Sequence, residues 1–399
     1  MKHFDSEKEM QQWLSSRFAK GEALADMISN YEDFKEQDFS SAVKDAGQRK
    51  ICNSFQYCLK SFENNDVVSE NIDISMNAKD VLKPDFIVYA PETQSILIIE
   101  LKNIKGPTRQ AGTEISAYAA EIRTYLPYLA EGDIVNVIIS NDWPTLLKHY
   151  IYNEIVWLNK WLICLEPEMA SDGIGLKIID PLQICDPAFK PRIWAKQLGG
   201  YQLCLYDDEL YRGGDYFRMG EFQDSMFAAL HAMSAKGNAL KAHGFAFLWR
   251  HCHEVGLAPY NITIMNFASF QTPELVFRDR KVSATEMGKR IRRIIRDHAP
   301  EGHSETLDTI TTYGETFLKD FCSPMPEGFE SWDYLRPKIF EGTDAIAFVG
   351  WGLFQDLFFE RMATEPVHPE SGHRYSATCP LFAIEMLDQL IYDDYQYVK

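Results

Sequence analysis

The chain has 399 residues, 46% apolar, 13% aromatic and 25% charged, with 23 Gly and 18 Pro. This excludes wholesale disorder and collagen-like repetition and gives room for two or three domains of roughly 100–200 residues each. Forty Lys and Arg face 58 Asp and Glu, a formal charge of −18; such a field repels phosphate backbones at long range, so indiscriminate coating of nucleic acid is excluded and any nucleic-acid contact has to be local.

The opening MKHFDSEKEM has no positive segment leading into an apolar stretch, so no signal or transit peptide is expected. The longest apolar run, Ala345 to Phe354, is about half of the roughly 20 residues a bilayer span requires, and no membrane association is expected. Eight cysteines lie scattered without CxxC pairs, which reads as a reducing, cytoplasmic setting.

Met10, Trp13, Leu14 and Phe18 recur at helical spacing, and Ser6 with Glu9 offers a capping box, so a helix is predicted over residues 5–19. A polar, helical or loop-rich stretch follows to about residue 75. Lys83-Pro-Asp-Phe-Ile-Val-Tyr-Ala90, the turn Pro91 to Ser95, and Ile96-Leu-Ile-Ile-Glu-Leu-Lys102 read as a hairpin of two strands. After Gly106-Pro107, a helix over 108–125 carries Ile115, Ala119 and Ile122 on one side; a strand over 134–140, a helix over 144–158 and a strand over 161–165 complete an α/β pattern. Near residues 186–195 the character changes, with a short β-like stretch between two Gly-Gly pairs and then helical patterns from Asp224 onward. The expected organisation is one α/β domain over 1–190 and a mostly helical domain over 191–399.

The hairpin holds the residues that carry chemistry. On strands, side chains alternate faces, so Asp85 shares a face with Ile87 and Tyr89, and Glu100 shares one with Lys102. Charges inside apolar strands cost free energy unless they are paired or put to use. Two carboxylates converging from neighbouring strands make an oxygen-rich site suited to Mg²⁺, a hard ion held by a few carboxylates plus water and substrate phosphate. A lysine two residues after the second carboxylate points into that site, where it can orient or deprotonate a water or stabilise charge building on phosphate.

Pro84-Asp85, fourteen residues, then Glu100-Leu101-Lys102 resembles the motif of the PD-(D/E)xK nuclease superfamily. The resemblance covers roughly the first 180 residues. It implies a restriction-endonuclease-like mixed sheet flanked by helices, Mg²⁺ (with Mn²⁺ as substitute) held by Asp85, Glu100 and the main-chain carbonyl of Leu101, Lys102 assisting the attacking water, and phosphodiester hydrolysis. Members often add an acid from the opening helix. Measured from the centre of the apolar stripe, Glu7 lies about 50° away and Glu9 about 110°, which makes Glu7 the candidate. Some members also carry Gln and then Tyr four residues on in the following helix. Here Gln110, Glu114 and Tyr118 stand at i, i+4 and i+8, a departure that supports Gln110 more than Tyr118.

Positive charge is concentrated in two places. Lys102, Lys105 and Arg109 occur with no acid between 101 and 110, and Arg278 to His298 holds eight Lys or Arg against three acids. In the second segment, Ser283 with Glu286 reads as a capping box, Met287, Ile291, Ile294 and Ile295 as an apolar stripe, and Lys289, Arg292, Arg293 and Arg296 as a basic face for phosphate contact. The reading is a Mg²⁺-dependent DNA endonuclease, by analogy one used in prokaryotic restriction or anti-phage defence. So acidic a chain would engage DNA through a defined channel, a protein partner or a homo-oligomer. An RNA or repair nuclease with the same site, and a non-catalytic nuclease-fold scaffold, are the alternatives.

Overall fold

A computed structural model describes residues 4–37, 39, 46–77, 81–103, 110–170, 173–184, 193–253, 256–268, 284–298, 304–368 and 372–392. The chain divides into two compact units, Met1–Pro191 and Arg192–Lys399. No helix among the described residues is long and apolar enough to cross a membrane.

The first unit opens with α1 (Glu7–Phe18), whose Ser6 side chain accepts a hydrogen bond from the Glu9 amide at 3.2 Å. The Glu9 carboxylate reaches back to the Asp5 amide at 2.7 Å, not to Ser6, so half of the expected capping box forms. The polar stretch that follows holds α2 (Leu24–Met27), α3 (Tyr31–Glu36), α4 (Ala46–Leu59) and the strand β1 (Asp66–Glu70). Then come β2 (Phe86–Ala90), β3 (Ser95–Lys102), α5 (Gln110–Tyr125), β4 (Ile134–Ser140), α6 (Thr145–Tyr152), β5 (Trp161–Ala170) and β6 (Gly173–Ile178). A π-turn over Asn153–Trp157 extends α6.

These strands form one sheet in chain order. β1, β2 and β3 are antiparallel neighbours, β4 and β5 continue in parallel beyond β3, and β6 closes the edge antiparallel to β5. Alternation along β3 sends Leu97, Ile99 and Leu101 into the core shared with α1 and α4. Ile96 and Ile98 go to the other face, where they pack with Ile87, Tyr118 and Ile122. That second face, covered by α5, is the one on which Glu100 and Lys102 continue the row.

The second unit corrects the expectation of a mostly helical C-terminal half. Its strands are β7 (Ile193–Trp194), β8 (Leu198–Tyr206), β9 (Gly244–His251), β10 (Tyr260–Phe267), β11 (Ser323–Ser331), β12 (Thr343–Trp351) and β13 (Ile391–Tyr392). Five of them make an antiparallel sheet in the order β11-β8-β10-β9-β12, and β7 pairs with β13. Its helices are α7 (Gln223–Ala239), α8 (Glu286–His298), α9 (Glu305–Glu315), α10 (Trp332–Phe340), α11 (Leu353–Thr364) and α12 (Pro380–Leu390).

The inner strands β8, β10 and β9 are covered on both faces, which explains why their sequences show no alternation. Ala246, Leu248, Ile262 and Ile264 pack against Met226, Leu230 and Met233 of α7 and Ile310 of α9. On the opposite face Phe245, Phe247 and Phe348 meet Trp332, Phe354 and Phe358. A strand buried on both sides is a continuous apolar run, which periodicity alone does not separate from a buried helix.

Candidate active site

The strand register builds the site. In the antiparallel β2–β3 pair, Phe86 lies across from Ile99 and Ile87 from Ile98. One further step of that register puts Asp85 across from Glu100, and directly opposed residues of such a pair have Cβ atoms about 4.5–5.5 Å apart. The Asp85 carboxylate accepts a hydrogen bond from the Leu101 amide at 2.8 Å, which fastens it to β3. Leu101 buries its side chain in the opposite core, so it reaches the site only through its main chain.

Glu100 is 3% exposed. Its Oε1 accepts from the Lys102 ammonium at 2.5 Å, while its Oε2 is buried with no hydrogen-bond partner among the described residues. Lys102 also donates to Glu114 Oε2 of α5 at 3.0 Å. Burial pushes the Asp85 carboxyl above its ordinary range; the Leu101 amide and Lys102 pull it back, and Glu7 and Glu114 add to the rise. Burial raises the Glu100 carboxyl as well, and the Asp85 charge reinforces it against the pull of Lys102. For Lys102 burial works against the ammonium, but the carboxylates of Glu100 and Glu114 outweigh it and hold its pKa above the usual lysine range. In this arrangement Lys102 is a fixed cation and not a proton acceptor.

Glu7 sits at the exposed rim. Its Oε1 accepts from the Asn103 amide at 2.9 Å, tying α1 to the end of β3, and its charge is felt by Asp85. Asn103, buried, donates through Nδ2 to the Phe4 carbonyl at 3.2 Å, and its Oδ1 has no partner among the described residues. Lys105, Arg109 and the side chain of Gln110 lie outside the described residues.

Two residues of α5 support the site: Glu114, to which the sequence pattern assigns no role, and Tyr118, which it ranks below Gln110. Glu114 touches the motif lysine; the signal for it is its i, i+4 spacing to Tyr118 on the face of α5 that meets β3. Tyr118 is 5% exposed and donates its hydroxyl to the Lys83 carbonyl at 3.0 Å, pinning α5 to the start of the hairpin. Burial, with the Glu100, Glu114 and Asp85 charges behind it, keeps that phenol protonated. Tyr118→Phe is expected to destabilise the protein by about 1 kcal/mol, the typical worth of one such hydrogen bond. A urea titration checks this, and unchanged turnover in the same variant would confine Tyr118 to holding the helix.

Among the described residues no group of three or more His, Cys, Asp or Glu side chains forms a ready-made metal cage. The donor set of two carboxylates and a main-chain carbonyl suits a hard cation that keeps several waters, and the unpartnered Glu100 Oε2 offers it a free oxygen.

The basic segment belongs to the second unit. Ser283 lies outside the described residues, and Thr285 caps the start of α8 by accepting from the Gly288 amide at 3.0 Å. The expected apolar stripe holds at Ile295 and fails at Met287 and Ile294. Gly288 and Ile295 are the buried positions, while Met287 and Ile294 are 66% and 54% exposed. Lys289 pairs with Glu286 at 2.7 Å, and Arg293 and Arg296 each approach Asp297 at 3.3 Å. Exposed pairs of this kind contribute little to stability.

No family model matches the chain, and no curated protein is similar to it in sequence.

Proposed function

We propose that the chain is a Mg²⁺-dependent DNA endonuclease whose first unit is a restriction-endonuclease-like domain. The observation that carries this reading is the convergence of Asp85, Glu100 and Lys102 on one sheet face, with a buried carboxylate oxygen that has no partner among the described residues. Its support from the fold is the antiparallel β2–β3 hairpin that carries the motif, followed by α5 and by β4 returning parallel beside β3.

Asp85, Glu100 and the Leu101 carbonyl would hold the divalent cation, which supplies Lewis-acid stabilisation of charge on a phosphoryl oxygen. Lys102, held as an ammonium between Glu100 and Glu114, would orient the attacking water and a non-bridging phosphate oxygen by hydrogen bonding. Glu7 holds the Asn103 amide, which keeps the end of β3 in place. The exposed arginines of α8 contact the phosphate backbone, a contact that positions without reading sequence.

The test is incubation of the full chain with linear, plasmid and single-stranded DNA and with RNA, with and without Mg²⁺ or Mn²⁺. Cleavage of DNA that requires the cation supports the reading. Preferential cleavage of RNA moves the substrate class, and no cleavage of any nucleic acid favours a scaffold. For the basic helix, replacing Arg292, Arg293 and Arg296 by Gln is expected to weaken DNA binding and to flatten its log–log salt dependence by roughly two to three units, since each phosphate contact contributes about 0.9. Unchanged affinity and slope, read by fluorescence anisotropy across a salt series, would remove α8 from the interface.

A further inference from the structure

Lys102 has two carboxylate partners, and they differ in kind. Glu100 Oε1, at 2.5 Å, belongs to a side chain 4% exposed on the sheet; Glu114 Oε2, at 3.0 Å, belongs to a side chain 35% exposed on α5. In the fold as it stands, the ammonium donates to Glu100, the same carboxylate that the proposed cation needs. Two cations in contact with one buried carboxylate repel each other strongly where solvent screening is poor. Arrival of a divalent ion at Glu100 therefore weakens the hold of Glu100 on Lys102. A half-buried ammonium left with no partner is costly. Glu114 is already within hydrogen-bond distance, and the Tyr118 bond to Lys83 fixes α5 so that it stays there.

We propose that Glu114 is a positioning residue: it receives the Lys102 ammonium when a divalent cation takes Glu100, so that ion binding exchanges the lysine between two carboxylates. Lys102 is then an internal place-holder for the cation, and Glu114 keeps it ordered at the site after the exchange. The inference rests on the reading of Asp85 and Glu100 as the cation-binding pair.

The experiment is a double-mutant cycle on Mn²⁺ binding, read without substrate from the free-ion EPR signal. It uses the full-length wild type, Glu114→Gln, Lys102→Met and the double variant, with Glu100→Gln defining the specific site. Glu114→Gln is expected to weaken Glu100-dependent Mn²⁺ binding about tenfold when Lys102 is present and less than about threefold in the Lys102→Met background. Equal weakening in both backgrounds would mean that Glu114 acts only through its own charge, and no weakening in either would mean that it does nothing; both outcomes overturn the exchange. Absence of any Glu100-dependent binding in the wild type would overturn the cation-site reading itself, and the exchange with it. Thermal melts establish that each variant folds, and Lys102→Gln replaces Lys102→Met should the latter fail to do so.

Discussion

Glu100→Gln is expected to reduce Mg²⁺-dependent DNA cleavage by about 10³-fold, because the loss of a few kcal/mol of charge stabilisation corresponds to three decades of rate at about 1.36 kcal/mol each. The amide has the shape of the carboxylate and its oxygen still accepts from Lys102, and Glu114 remains as a second partner of that lysine. The fold should therefore survive, and a single-turnover assay with the substrate in excess of its Kd isolates the chemical step. Retention of wild-type turnover would place the chemistry elsewhere in the chain.

The same carboxylates set a second large effect, on stability. Asp85 and Glu100 bind protons more tightly in the folded protein than in the unfolded chain, because burial penalises their charged forms. Above the ordinary carboxylate range the folded state thus holds more protons than the unfolded state, and metal-free stability falls as pH rises toward and through the raised values. Binding of a divalent cation needs the ionised carboxylates, so stabilisation by Mg²⁺ grows over the same range. At a hundredfold excess over its Kd the ion is worth about 2.7 kcal/mol. For a unit of this size that corresponds to a rise in Tm of roughly 5–10 °C. Differential scanning calorimetry across pH, with Mg²⁺ and with EDTA, reads both trends. Glu100→Gln should flatten the pH dependence, raise the metal-free Tm at alkaline pH and abolish most of the Mg²⁺ shift. A Mg²⁺ shift that is independent of pH and survives in Glu100→Gln would contradict this assignment.

The parts of the site that were legible in the sequence are those where polar residues interrupt apolar strands. Asp85 and Glu100 stood out against Phe-Ile-Val and Ile-Leu-Ile-Ile, and a hairpin with a short turn fixes the register that sets them opposite each other. For Glu7 the resemblance implies an acid on the opening helix and the helical angle selects it over Glu9; in the structure it holds the Asn103 amide. Glu114 did not stand out, since an acid on a polar helix face is ordinarily solvated; only its tertiary contact with Lys102 distinguishes it. Asn103 was hidden for a similar reason, because its role depends on Phe4 and Glu7, nearly a hundred residues away. The edge strand β1 was hidden by its exposure: four of its five residues, in Asp-Val-Val-Ser-Glu, are not buried, so the sequence carries no core-facing alternation.

The second unit shows the opposite failure. Gly244 to Trp249 in β9 and Ala347 to Trp351 in β12 are buried on both faces, so their sequences are unbroken apolar and small-residue runs. Their neighbours α7 and α11 are apolar too, and the strand and helix signals merged. On α8 the composition was legible and the orientation was not. Of the expected stripe of Met287, Ile291, Ile294 and Ile295, Ile295 is buried while Met287 and Ile294 are exposed, and Gly288 is the other buried position. The charge of −18 thus remains compatible with a nuclease: two of its carboxylates form the proposed cation site, and five basic residues against two acidic ones stand together on α8.

A divalent cation held jointly by Asp85 and Glu100 is visible by anomalous diffraction from crystals grown with Mn²⁺. An anomalous peak contacting both carboxylates is expected in the wild type, with Lys102 on Glu114, and no peak there in Glu100→Gln. Ordered Mn²⁺ bound elsewhere, with Lys102 still on Glu100 and no anomalous density between Asp85 and Glu100, would contradict it.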